Sequence, residues 1–156
     1  MRFFMVAVLL CCLAGPGSLA QTISPLQPGQ TWTLSAVTAE GETFQTRLRL
    51  SGQPPSGTPA TYRADRGVML LDTVHSSLIA LDTADAKDGG LALACVYTGP
   101  LNGQMFEGIL AAAPADRLPA LLETALAVFN IARTSEDRAE ASAELGLGRC
   151  TLTLEP

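Results

Sequence analysis

The stretch "QMFEGILAAAPADRLPALLETALAVFNIA", Gln104 to Ala132, changes its period midway, and that change decides the fold. Up to Ala113 it reads as one strand. From Asp116 onward, Leu118, Leu121, Leu122, Ala125, Val128, Phe129 and Ala132 recur at helical spacing. At 100° per residue they fall within an arc of about 120°, a single apolar stripe. Asp116 is the expected N-cap, and Pro119 falls in the first turn, where proline is tolerated. The segment Asp116–Arg133 is thus expected as an amphipathic helix. Burying its large side chains would contribute about 10 kcal/mol gross, before entropy. So wide a stripe must cover something, and a sheet face is its natural partner.

The residues before this segment alternate. In "TWTLSAV", Trp32, Leu34 and Ala36 share one face, and Thr31, Thr33 and Ser35 the other. Period 2 with Thr, Trp and Val indicates a strand buried on one side. After the turn "AEGE", "TFQTRLRLSG" puts Phe44, Leu48 and Leu50 inward and Gln45, Arg47 and Arg49 outward, so the pair reads as a hairpin. "SGQPPSGTP", Ser51 to Pro59, is a loop by composition. "ATYRAD", "VMLLDTV", "SSLIALD" and "LALACVYTG" follow as strands, punctuated by Arg66–Gly67 and by the polar loop Thr83 to Gly90. "VMLLDTV" is apolar on both faces, as in a central or doubly covered strand. The last of these sets Leu91, Leu93, Cys95 and Tyr97 on one face.

Beyond the amphipathic segment, residues from about Glu136 to Leu145 read as a short Ala-rich helix, with Ser135 to cap it and Gly146 to end it. "GRCTLTLE" closes the chain as a strand with Cys150, Leu152 and Leu154 on one face. The expected class is α+β, mainly β: an antiparallel meander of about eight strands with one helix packed on it before the last strand. Two architectures fit, a small barrel and a curved sheet wrapped on the helix. A barrel would leave the helix outside, in need of a second apolar surface, which favours the wrapped sheet.

The N-terminus reads "MRFFMVAVLLCCLAGPGSLAQT". Arg2 precedes an apolar run from Phe3 to Leu13, Gly15 and Pro16 break it, and "SLA" sets small residues before Gln21. This is the three-part pattern of a secretory signal with cleavage between Ala20 and Gln21. The run is shorter than the roughly 20 residues that a spanning helix needs. A lipidated Cys11 or Cys12 is the rival, set back by the large Leu10 before them. Residues 1–20 are accordingly expected as a signal peptide and 21–156 as one secreted or periplasmic domain, monomeric, with no transmembrane span in the mature chain.

That domain carries nine basic and fifteen acidic side chains, a formal charge of −6, and Lys87 is its only lysine. Without a basic cluster, nucleic acid and anionic membranes are poor partners. Two cysteines survive processing, Cys95 and Cys150. An oxidising compartment favours pairing them, and the loop they close is worth about 4 kcal/mol as an upper figure. Each lies on the apolar face of its strand, so the two faces must meet.

The combination of Gly29 and Trp32 in a first strand, a strand meander, a late helix and a closing strand tied by a disulfide resembles the lipocalin-like barrels. That resemblance implies a binding cavity for a small apolar ligand. The whole chain is also similar to small secreted proteins of Deinococcus-type bacteria, which implies export and no particular activity.

Groups that carry chemistry are few. His75, the only histidine, follows Asp72 and precedes Ser76 and Ser77, but a triad is assembled by geometry and not by adjacency. The expectation is a turn residue. Zinc would need three or four N or S ligands, more than one His and an oxidised pair supply. Asp82, Asp85 and Asp88 could gather around calcium, but Lys87 opposes a cation there and Leu93 stands where an EF-hand has Glu. No catalytic residue, metal or cofactor is therefore assigned. Glu107, in an apolar strand, either faces solvent on the polar side or is a buried carboxylate, and the sequence leaves both open; Arg47, Arg49 and Arg63 are expected on a wet face and Trp32 in the core. The function expected is an exported, non-enzymatic binding or accessory domain for a small apolar molecule or an envelope component. The alternatives are a carboxylate-dependent hydrolase, which two acids suffice to make, and a structural or interaction protein of the cell envelope.

Overall fold

The computed structural model describes residues 24–132 and 134–156. Cys11, Cys12 and the Ala20–Gln21 cleavage site lie outside the described residues, as does Arg133. Eight strands form one antiparallel sheet: β1 (Thr31–Val37), β2 (Thr43–Arg49), β3 (Ala60–Arg63), β4 (Gly67–Asp72), β5 (Ser77–Asp82), β6 (Ala92–Thr98), β7 (Met105–Ala113) and β8 (Gly148–Leu154). Their spatial order is β2-β1-β8-β7-β6-β5-β4-β3. The chain makes one hairpin, crosses to the far edge, returns by consecutive hairpins, and inserts β8 between β7 and β1. The first hairpin turns at Gly41, whose φ of 88° is open to glycine at no steric cost.

The sheet curls into a half-barrel whose two edges touch at one corner. Leu50 bridges Ala64, Ser51 N donates to Arg63 O at 2.8 Å, and Asp65 N donates to Arg49 O at 3.1 Å. The reason for the curl is the inner face. Trp32, Leu34, Leu48, Tyr62, Met69, Leu78, Leu93, Phe106, Leu110 and Leu152 form one buried cluster drawn from all eight strands. Trp32 stacks on Phe106 at 5.8 Å between centroids, and Phe106 meets Tyr97 at 5.0 Å. Each large apolar side chain so buried contributes about 1.5–3 kcal/mol gross. Leu26, which the alternation does not reach, joins this cluster from the segment before β1.

Helix α1 spans Leu118–Ile131 and α2 spans Ser135–Glu144. The sheet wraps its own side chains, and α1 lies on the outside. Its seat is the opposite face of β6 and β7, where Ala92, Ala94, Val96, Ile109 and Ala111 are buried with Leu118, Ala125 and Val128 of α1. That is the second apolar surface that an outer helix requires. Three of those five sheet residues are alanines, so the seat carries little hydrophobic signal per position.

Several local expectations shift. The residue before α1 is Arg117, with no side-chain cap, so Asp116 does not cap the helix, although Pro119 does sit in the first turn. Ser135 lies inside α2, and the cap is Thr134, whose Oγ1 accepts from Asp137 N at 3.0 Å while Asp137 Oδ2 accepts from Thr134 N at 3.3 Å. This is a capping box with Asp in place of Glu. Gly146, at φ 69°, follows the end of α2. β4 is second from the edge and alternates, with Met69 and Leu71 inward, instead of being covered on both sides. Leu91 precedes β6 and is exposed.

β8 is not beside β6, because β7 runs between them. Cys95 and Cys150 nevertheless stand at disulfide distance, with Cα atoms 5.8 Å apart. The inner-face pair reaches over Gly108 of β7, the register partner of Cys150. A Cβ at Gly108 would clash with the Val96 carbonyl oxygen and press on the Cys150 sulfur at 3.2 Å. Glycine there lets the sheet fold tightly enough for the two sulfurs to meet. No helix among the described residues is long and apolar enough to cross a membrane.

Candidate functional site

The inside of the half-barrel, where the lipocalin resemblance implies a cavity, is occupied by Trp32, Phe106 and the leucines around them. Open space lies elsewhere. A groove of about 1000 Å³ runs beside α2, over the part of β1, β8 and β7 that α1 leaves uncovered. Phe129 of α1 and Arg138 and Ser142 of α2 line it on one side, and Glu107, Arg149 and Thr151 of β7 and β8 on the other. The side chains of β7 and β8 reach it because alternation sends Cys150 and Leu152 inward and Arg149 and Thr151 outward.

The electrostatics of the groove are unbalanced. Arg138 places its Cζ 5.3 Å from the centroid of the Phe129 ring, a cation–π contact. Among the described residues, neither Arg138 nor Arg149 pairs with a carboxylate. Ser142 is 2 % exposed, and its Oγ is buried with no hydrogen-bond partner. On the inner side of the sheet, burial raises the pKa of the Tyr97 phenol, which lies against Phe106 and donates to the Pro100 carbonyl, and the charge of Arg138 acts against that rise. The sequence pointed to none of these residues except Glu107, which it left open between a solvent-facing and a buried carboxylate, and which is exposed on the outer face. Arg138 and Ser142 sit four apart in a helix that reads as merely polar, and Phe129 reads as core.

The acidic loop does different work. Asp82, 3 % exposed, accepts from Thr46 Oγ1 at 2.8 Å, from Arg66 Nε at 2.8 Å and from Ala84 N at 3.1 Å. Asp85 takes the other end of the same guanidinium, at 2.9 Å. The hydrogen bond that Arg66 donates to Asp82 holds the Arg66 pKa above its ordinary value. Asp82 thus ties β2 to β5 across the seam of the half-barrel, and two of the three carboxylates considered for calcium face an arginine. Among the described residues no three His, Cys, Asp or Glu side chains gather as a metal set.

His75 and Asp72 are brought together. Asp72 Oδ1 accepts from Val74 N at 2.9 Å and His75 N at 3.0 Å, and Oδ2 lies 2.7 Å from His75 Nδ1. The hydrogen bond from the imidazole, followed by that from the His75 backbone, lowers the Asp72 pKa. Ser76 and Ser77 share a neighbouring groove of about 610 Å³ with them. No hydroxyl of the described residues hydrogen-bonds the imidazole, which is 79 % exposed. The arrangement closes the β4–β5 turn. Trp32 is fully buried, its Nε1 donating to Gln30 Oε1 at 3.3 Å. Arg47, Arg49 and Arg63 are exposed, Arg47 pairing with Glu155 at 2.8 Å.

Comparison with protein-family models, with curated proteins and with solved structures returns no match.

Proposed function

We propose that the protein is an exported, non-enzymatic binding domain that takes a small molecule on the outside of its half-barrel, in the groove beside α2. One observation carries this reading: the interior is filled by its own side chains, while the outer groove offers an aromatic ring and two arginines that pair with no carboxylate among the described residues. Binding sites combine apolar walls with a few placed polar groups, and this groove has that composition. A scaffold held by a cysteine pair and a closed seam suits a site that must persist outside the cell.

The test is ligand extraction. Protein purified from its own host without denaturation should release, on unfolding, a compound detected by mass spectrometry in near-stoichiometric amount. Ala139→Trp, at an exposed position of α2 on the groove wall, should abolish its retention while the fold persists. A compound retained equally by Ala139→Trp would place binding elsewhere and overturn the reading.

A further inference from the structure

We infer that the groove selects a singly charged amphipathic anion, its headgroup held by Arg138 and Arg149 and its apolar body laid against Phe129. This rests on the reading of the groove as the binding site and adds the chemistry of what enters it. A guanidinium presents a planar fork of donors that matches an oxyanion, and its weak hydration makes it the cation of choice where headgroups are partly desolvated. Arg138 is half-buried and fixed over the Phe129 ring, so a cationic and an apolar surface adjoin on one wall. A ligand that uses both must itself be anionic at one end and apolar at the other.

The second observation is Ser142. It stands four residues after Arg138 on α2, and residues so spaced lie on one face of a helix. The residue lines the groove, and its hydroxyl is buried behind that wall without a partner. A buried polar group in that state costs free energy, which a turn of the Ser142 side chain toward the oxygen of a bound headgroup would recover. Thr151 and Ser35 add hydroxyls from the sheet side. The number of charges is limited from the same wall: Glu107 stands in the groove, and the chain as a whole carries −5. Polyphosphates and nucleic acids would meet that field, whereas one carboxylate or sulfonate matches the two arginines against one glutamate.

A matched pair of fluorescent probes tests this. 1-Anilinonaphthalene-8-sulfonate and N-phenyl-1-naphthylamine share one ring system, and only the first bears an anion. Titrated into the folded protein at low salt, the sulfonate should bind at least about tenfold more tightly, the ratio expected from one net charge-assisted contact in a partly exposed groove. Arg138→Ala and Arg149→Ala should each collapse the ratio of the two affinities toward one. Added salt should lower the affinity for the sulfonate and leave that for the neutral probe nearly constant. Equal affinities in the wild type, or an unchanged ratio in both arginine variants, overturn the inference. If Ala139→Trp abolishes binding of the neutral probe while the wild type shows no preference for the anion, the groove stands as the site and only its charge selectivity falls. If neither probe binds, or Ala139→Trp leaves both unchanged, the groove itself is refuted.

Discussion

Removing the Asp82 carboxylate should open the seam of the half-barrel. Three hydrogen bonds converge on it, from Thr46, Arg66 and the Ala84 amide. Asp82→Asn keeps the volume but loses the charge. The Arg66 side chain is 33 % exposed and retains Asp85, so its share is discounted to that of a surface pair, about 0–1 kcal/mol. The Thr46 hydroxyl and the Ala84 amide each lose about 1 kcal/mol or are left unsatisfied. The sum is about 2–3 kcal/mol, or about 10 °C in melting temperature for a domain of this size. Urea denaturation of the wild type, Thr46→Val, Asp82→Asn and the double variant would give the coupling between the two side chains. It should be about 1 kcal/mol, because each single change removes the same cross-seam bond. Amide exchange should accelerate in β2 first, the edge strand that the bond anchors. Single costs that add within about 0.3 kcal/mol would show that the contact does not hold the seam, and the reasoning would fail.

Three other outcomes follow from the structure. Replacing Cys95 and Cys150 together by Ala should destabilise the fold by up to about 4 kcal/mol, and mass analysis of exported, never-reduced protein should find no free thiol. Two alkylatable cysteines there would contradict the pairing. Val128→Asp puts a charge into the alanine seat and should cost about 3 kcal/mol or more, whereas Ala127→Asp, exposed on the same helix, should cost under about 1 kcal/mol. Equal melting shifts would mean that α1 faces otherwise. Because the folded pKa of Asp72 lies below its ordinary 3.8, its contribution is present above about pH 4 and is lost as pH falls through the folded value. Urea midpoints of wild type and Asp72→Asn should therefore differ at neutral pH and converge in acid, and parallel curves would contradict the assignment.

Strand identity was legible because alternation is local. Trp32, Leu34 and Ala36, or Cys150 and Leu152, announce an inner face without reference to any other strand. The helix was legible for the same reason, in its stripe from Leu118 to Val128. Strand order was not. That Trp32 pairs with Leu154, and that Leu50 meets Ala64 across the seam, depends on pairings between distant segments, which periodicity does not encode. The helix is expected inside the curl because much of its outer seat is Ala92, Ala94 and Ala111, whose methyl groups look like filler in a strand. Asp82 read as part of a wet hairpin tip, since nothing nearby in sequence shows that Thr46 and Arg66 come to meet it. The groove has the same character. Arg138 and Ser142 come from one helix and Arg149 from the next strand, and their common surface exists only once α2 lies beside β8.

The alanine seat under α1 has a consequence for how such a groove could diversify. Methyl-sized side chains act as spacers, and they set how closely the helix lies on the sheet. α2 follows α1 after residues 132–134, so it inherits any displacement of α1. Enlarging Ala94 or Ala111 by one or two carbons would lift both helices and widen the gap between Arg138 and Arg149, although neither alanine touches it. The aperture could thus be regauged by substitutions on the far side of the helix, leaving every ligand-facing residue in place.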